Sequence, residues 1–247
     1  MDNAIYSMLS GSIGEQNRAR KSSNNIANAQ TDGFKTDDMI FRNYITKDVN
    51  DNVSFPYDEK TIINFKQGAP NHTKHPLDFM IDGSGFFSVQ TPEGVMYTRQ
   101  GHFYRNNENL IVTTHGYPLL STDGNPIAID ENDMSIVVNE IGEVYGRYTE
   151  ANSIIIQELR SQIAIVDFPN RHLLRKNRDL LFISEEQTIP AENYKIVQGA
   201  VEESNINSIN EMTHMVDLQK KVENETALIS KIYHLQNKAY DILSHQP

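Results

Sequence analysis

From residue 205 to residue 244 the sequence contains neither proline nor glycine. Over that stretch Met212, Met215, Val216, Leu218, Val222, Leu228, Ile229, Ile232, Leu235, Ala239, Ile242 and Leu243 recur mostly three or four positions apart. This spacing predicts one amphipathic helix. About 40 residues of helix extend about 60 Å, too far to fold back as an ordinary core helix. Such a helix needs another helix to cover its apolar stripe. Gln219, Glu225 and Thr226 interrupt the stripe. A seam with polar breaks suits packing that is completed on assembly, although a homodimeric coiled coil satisfies the same periodicity.

Residues 2–28 predict a second helix. Ile5, Met8, Leu9, Ser12, Ile13, Ala19, Ser23, Ile26 and Ala27 form its apolar or small stripe. Glu15, Gln16, Arg18, Lys21 and Asn24 occupy the other face. Gly11 and Gly14 each weaken an isolated helix by about 1 kcal/mol relative to Ala, so a close-approaching backbone is expected there. The helix should stop in the run from Asn25 to Phe34. Asn and Asp side chains there compete for local backbone groups, and Gly33 can take positive φ.

Between these ends, residues 66–203 read as β structure. Phe86 to Gln90, then Thr91-Pro92-Glu93-Gly94, then Val95 to Arg99 is a hairpin signal. Short runs at residues 110–113, 134–138, 162–166 and 180–183 continue the pattern, with turns at His115-Gly116, Asp123-Gly124-Asn125-Pro126 and Ile141-Gly142. The expected fold class is α+β. A central antiparallel β domain, sandwich or barrel-like, is flanked by long N- and C-terminal amphipathic helices that pair as a coiled coil on assembly. The expected organisation is a discontinuous helical assembly domain (1–35 with 204–247), an extended connector (36–65) and the β domain (66–203). Small and amide residues such as Asn24, Asn25 and Asn28 allow close helix approach, Phe34 can anchor the turn, and the Asn205-Ile206-Asn207 segment offers an N-cap.

Charge and composition exclude several function classes. The formal net charge is −11, and Arg18-Ala19-Arg20-Lys21 is the densest basic cluster. A nucleic-acid binder needs a concentrated basic face, so no nucleic-acid partner is expected. There is no cysteine, hence no disulfide framework and no thiolate site. No run is apolar enough to span a bilayer, so membrane insertion is not expected. Residues 1–9 carry no positive region before Ser10-Gly11-Ser12, so no cleaved secretory signal is expected.

Catalytic and ligand signals are weak. Gly83-Ser84-Gly85 precedes a strand and lacks phosphate-loop spacing. His72, His75 and Asp78 have metal-like spacing, but Pro76 blocks a regular helix through them, and an exposed turn is the expectation. Asp78 and Asp82 could be set as an acid/base pair, yet turn formation explains Asp82, and Ser84 has no base partner in sequence. No enzyme activity, cofactor or metal is expected.

Three separated segments carry a family resemblance. Residues 23–35 (Ser-Asn-Asn-Ile-Ala-Asn-Ala-Gln-Thr-Asp-Gly-Phe-Lys) resemble the N-terminal signature of the flagellar rod and hook proteins. Leu77-Asp78, Asp82 to Phe87, Tyr97 to Phe103 and Gly116 to Leu120 resemble the family's central motif. Gln198 to Asn207, followed by Glu211 to Met215, resembles the approach to its C-terminal helix. Residues 139–160 depart from the pattern and are unusually polar, which leaves the strand count there open. The start, Met1 to Tyr6, and the short connector look most like a proximal rod member, with a distal rod or hook-type member as the alternative.

The resemblance implies a structural subunit of the bacterial flagellar basal-body rod, spanning the periplasm and serving motility. It implies export by the flagellar apparatus without a cleaved signal. It also implies association with other rod and basal-body proteins, self-association, and terminal helices that order on packing with neighbours. The expected assembly interface is Ile5, Leu9, Ile13, Asn24, Asn25, Asn28, Phe34, Met212, Met215, Val222, Ile229 and Ile232. From another class, a soluble adaptor dimerising through its C-terminal helix would share the periodicity; a periplasmic cell-wall enzyme lacks a catalytic constellation.

Overall fold

The computed structural model describes residues 2–47, 52–149 and 155–244, with side chains described except at 2–8, 41–60, 236, 239 and 242–244. Two compact units emerge from the internal contacts. One comprises Met1–Ala29, Thr36–Asn64 and Ile206–Pro247; the other comprises Gln30–Lys35 and Phe65–Asn205.

The first unit holds helix α1 (Asp2–Ala27), helix α2 (Ser208–Ser244) and a β-hairpin. Asn207 caps α2, its side-chain oxygen accepting the backbone N–H of Asn210 at 3.1 Å. α1 stops where Asn28 turns back on it. The Asn28 backbone N–H donates to the Asn24 carbonyl at 3.2 Å, and its side-chain amide donates to the same carbonyl at 2.9 Å. The hairpin pairs β1 (Asp37–Lys47) with β2 (Asn52–Ile63), antiparallel from Asp37 opposite Ile63 to Lys47 opposite Asn52. The connector is therefore extended and paired with itself. Pro56 is tolerated in β2 because each strand of a two-stranded ribbon has a free edge.

The second unit is β-rich. Its largest sheet has six strands in the order Arg175–Lys176, Phe182–Ile183, Gly94–Thr98, Phe86–Thr91, Ile165–Asp167, Ile189–Pro190. The central hairpin runs from Phe87 opposite Thr98 to Thr91 opposite Gly94. A three-stranded sheet has Glu143–Thr149 between Ser135–Val138 and Ile155–Gln162. Residues 150–154 lie outside the described residues. The polar character of 139–160 has a local use here. The Arg160 guanidinium grips the buried Asp133 carboxylate with two hydrogen bonds, 2.8 and 3.0 Å. Phe79, Ile81, Phe87, Val89, Phe103, Ile111, Leu119, Ile127 and Ile163 form the core. Beside it, Phe86 meets Phe168 and Phe182 edge-on at 5.5 and 5.3 Å.

The expected fold class needs correction. There are helices at the two ends and a mostly β middle, but the main sheet curls as a half-barrel. Among the described residues no second sheet of comparable size completes a sandwich, and the two end strands do not pair to close a barrel. The strands explain this. The end strands are two residues long, and one contains Pro190, which lacks an N–H for a further ladder. The long helical flanks hold only in part: α2 has 37 residues, but α1 has 26. The two helices also already pack against each other within one chain.

Candidate assembly site

Two places bring the motifs together. The first is the α1–α2 seam. Between residues 211 and 235 the positions withdrawn from solvent are Glu211, Met215, Leu218, Val222, Glu225, Ile229 and Ile232. Their spacing alternates four and three, which is the 3.5-residue repeat of a coiled-coil seam. Leu218, only 1% exposed, is its centre. The helices run antiparallel. The Ser22 hydroxyl donates to Glu211, Glu15 lies 3.8 Å from the Lys221 ammonium, and a Cβ on Gly11 would lie 3.8 Å from a Glu225 carboxylate oxygen. Descending α1 thus means ascending α2. The 3.8 Å at Gly11 is ordinary van der Waals distance, and no backbone approaches Gly11 as its sequence suggested.

Among the described side chains of α1 the buried positions are small or polar: Ser12, Gly14, Ser22 and Asn25. Of the expected stripe, Ser12 is buried and Ala19 and Ile26 are half-buried, but Leu9 and Ile13 point outward, 48% and 52% exposed. On α2 the heptad seam leaves Ile209, Met212, Val216, Leu228 and Leu235 exposed beside it. The expected interface residues therefore separate. Met215, Val222, Ile229 and Ile232 lie in the seam within the chain, while Leu9, Ile13 and Met212 lie on the solvent side. The side chains of Ile5, Ala239, Ile242 and Leu243 lie outside the described residues.

The asparagines separate too. Asn24 is exposed and Asn28 ends α1. Asn25, 2% exposed, reads the backbone of β1 at two points. Its amide donates to the Asp37 carbonyl, and its oxygen accepts the Asp37 N–H, both at 3.2 Å. Next to it Arg18, Lys21, Asp37, Glu211 and His214 help line a polar cleft of about 310 Å³.

The second place is a buried charge cluster in the β-rich unit, which gathers one residue from each motif region. Glu202 accepts the Lys35 ammonium on one carboxylate oxygen and the Arg99 guanidinium on the other, the latter at 3.2 Å. Lys35 also donates to the Lys66 carbonyl at 2.9 Å, and Arg99 to the carbonyls of Ile81 and Gly83 at 3.2 and 2.8 Å. Burial pushes both cations below their ordinary pKa, and the Glu202 charge opposes this. Phe34, itself buried, carries the Lys176 ammonium 4.0 Å above its ring. Gly33 precedes it at φ +69°, where a Cβ would lie 2.4 Å from the Arg99 backbone, so only glycine fits. Sequence reading missed Lys35, Arg99 and Glu202 as a set. No local signal pairs them, since each motif also holds other charged or polar residues such as Asp32, His102 and Glu203.

The residues weighed for chemistry form no catalytic constellation among the described residues. Ser84 donates weakly to the Asn193 carbonyl at 3.4 Å, and the Asp82 carboxylate accepts from Gln67 at 3.1 Å. Asp78 is fully buried and accepts the Thr73 hydroxyl. His102 lies between two carboxylates, 2.7 Å from Asp78 and 3.3 Å from Asp32. Burial raises the Asp32 carboxyl; His102 opposes the rise, and Asp78 and Glu203 add to it. No group of potential metal ligands forms a site among the described residues.

Two family models match the chain. The flagellar hook protein FlgE/F/G D1 domain matches residues 80–146, and the flagellar basal body rod FlgEFG protein C-terminal matches residues 197–232. A flagellar basal-body rod protein FlgF of Caulobacter vibrioides is 31% identical over 250 residues, covering 98% of each chain. The chain belongs to the flagellar basal-body rod protein family. A FlgF of Mesorhizobium japonicum is 28% identical, covering 93% of this chain and 92% of the relative. A FlgG of Bacillus subtilis is also 28% identical, covering 92% and 94%. This rod protein is a structural subunit of the flagellar basal body. The C-terminal match contains both Glu202 and the α2 seam from Glu211 to Ile232.

Proposed function

We propose that this rod protein polymerises through the solvent-side apolar faces of α1 and α2, joining its own copies and other rod and basal-body proteins. The observation carrying this is the division of apolar residues on the helices. Intrachain pairing uses the heptad seam and leaves Leu9, Ile13, Ile209, Met212, Val216 and Leu228 exposed. Covering such residues contributes about 1.5–3 kcal/mol each when burial is complete, enough for a repeating contact to hold a tube. The terminal helices reach their full order in that packing. The adaptor reading loses ground because the seam a homodimer would use is occupied by α1 of the same chain.

On this reading the protein has no enzymatic role, and its interface residues include Leu9, Ile13 and Met212. It leaves the cytoplasm through the flagellar export apparatus and sits in the periplasm-spanning rod. The proximal position is favoured by the FlgF relatives; the FlgG relatives keep a distal position as the second reading. Met212→Asp tests the interface. It should abolish rod recovery and motility while the purified subunit keeps its far-UV circular dichroism. Normal motility with normal rod recovery would reject the interface.

A further inference from the structure

Glu225 occupies a seam position of α2 between Val222 and Ile229. One of its carboxylate oxygens is shielded from solvent and has no hydrogen-bond partner. Across the seam stand Gly11, which offers no side chain, and Glu15, which is also an acid. The two cations nearby serve Glu15. The Arg18 guanidinium reaches both of its oxygens, at 3.3 and 3.5 Å, and the Lys221 ammonium lies 3.8 Å away. A carboxylate with a shielded oxygen that lacks a partner, facing a like charge, costs stability.

We propose that Glu225 is a proton-sensitive weak point that keeps the α1–α2 pair separable in the free chain. The charged groups facing it among the described residues are Glu15 on α1, with Arg18 as its partner, and Lys221 on α2 itself. Burial, then the Glu15 charge, raises the Glu225 carboxyl above its ordinary 4.5, with Lys221 opposing. The paired state therefore holds the proton more tightly than the separated state does. Pairing is strongest below the ordinary carboxylate range and weakens as pH rises through the raised value. At neutral pH the seam is held by Met215, Leu218, Val222, Ile229 and Ile232 against this charge. Such a pair can loosen and re-pack when neighbours arrive, which gives the proposed assembly route a subunit that is not locked in advance.

The functional meaning rests on the reading that the terminal helices assemble, but the weak point itself is measured without assembly. Amide hydrogen exchange on the full chain, corrected for intrinsic rates, would be followed at pH 7 and pH 5 for the wild type and Glu225→Gln. Glutamine removes the charge, and its NH₂ can donate to Glu15. At pH 7 the variant should slow exchange across residues 11–22 on the order of tenfold. The wild type should also slow between pH 7 and pH 5, and the variant should not. Equal or faster exchange in the variant at pH 7, or an undiminished pH response in it, would overturn the proposal. A subunit that shows the expected exchange yet assembles independently of its helices would leave the weak point standing and remove only the assembly reading.

Discussion

In the β-rich unit the two buried charge clusters are met, although one shielded oxygen of Glu186 lacks a partner there too. Glu202 binds Lys35 and Arg99, and Asp133 binds Arg160. In the helical unit Glu225 keeps a shielded oxygen without a partner, and Leu9, Ile13 and Met212 stand in water. Both units expose apolar side chains, Met134 and Ile155 in the β-rich one among them, but in the helical unit they line long helices beside a heptad seam. The difference teaches where to look for assembly. A polar group that is satisfied internally offers little to a neighbour, whereas exposed apolar faces on ordered helices gain by being covered.

The sharpest way to break this comparison is to unsettle the β-rich unit's buried charge cluster. Glu202→Ala leaves two buried cations without their counter-charge and should cost about 3–5 kcal/mol in urea unfolding followed by tyrosine fluorescence. A loss below about 1 kcal/mol would mean that the backbone carbonyls around Lys35 and Arg99 suffice. Asn25→Ala should act more locally. It removes both hydrogen bonds to Asp37 and should cost about 1–2 kcal/mol of hairpin protection in hydrogen exchange, leaving the β-rich unit unchanged. Smallest is the gain at Glu225, where taking away one charge should tighten the helical pair. If Glu225→Gln loosened the pair instead, the contrast between the met charge clusters of the β-rich unit and the unmet carboxylate oxygen in the seam would be lost.

Local patterns were legible in the sequence, and distant partnerships were not. The hairpin from Phe86 to Thr98 announces itself by alternation and by the turn at Pro92, Glu93 and Gly94. The α2 seam is written in Met215, Leu218, Val222, Ile229 and Ile232, with glutamates completing the repeat. On α1 the stripe holds in part: its Ser12 is buried, but Leu9 and Ile13 point outward, and Asn25 turns to the backbone of β1. The charge cluster escaped because its members are far apart in sequence, 167 positions for Lys35 and Glu202 and 103 for Arg99 and Glu202. Nothing in any one motif says which distant charge it meets. Curling of the main sheet into a half-barrel was hidden for a related reason, since two-residue end strands such as Ile189–Pro190 leave almost no periodic signal.

The most direct test is site-specific cross-linking from position 212 in isolated basal bodies. The account predicts that a photo-reactive residue replacing the exposed Met212 joins the subunit to a neighbouring rod subunit, whereas one replacing the buried Leu218 yields only links within the chain. Efficient cross-linking to neighbours from 218, with none from 212, would contradict it.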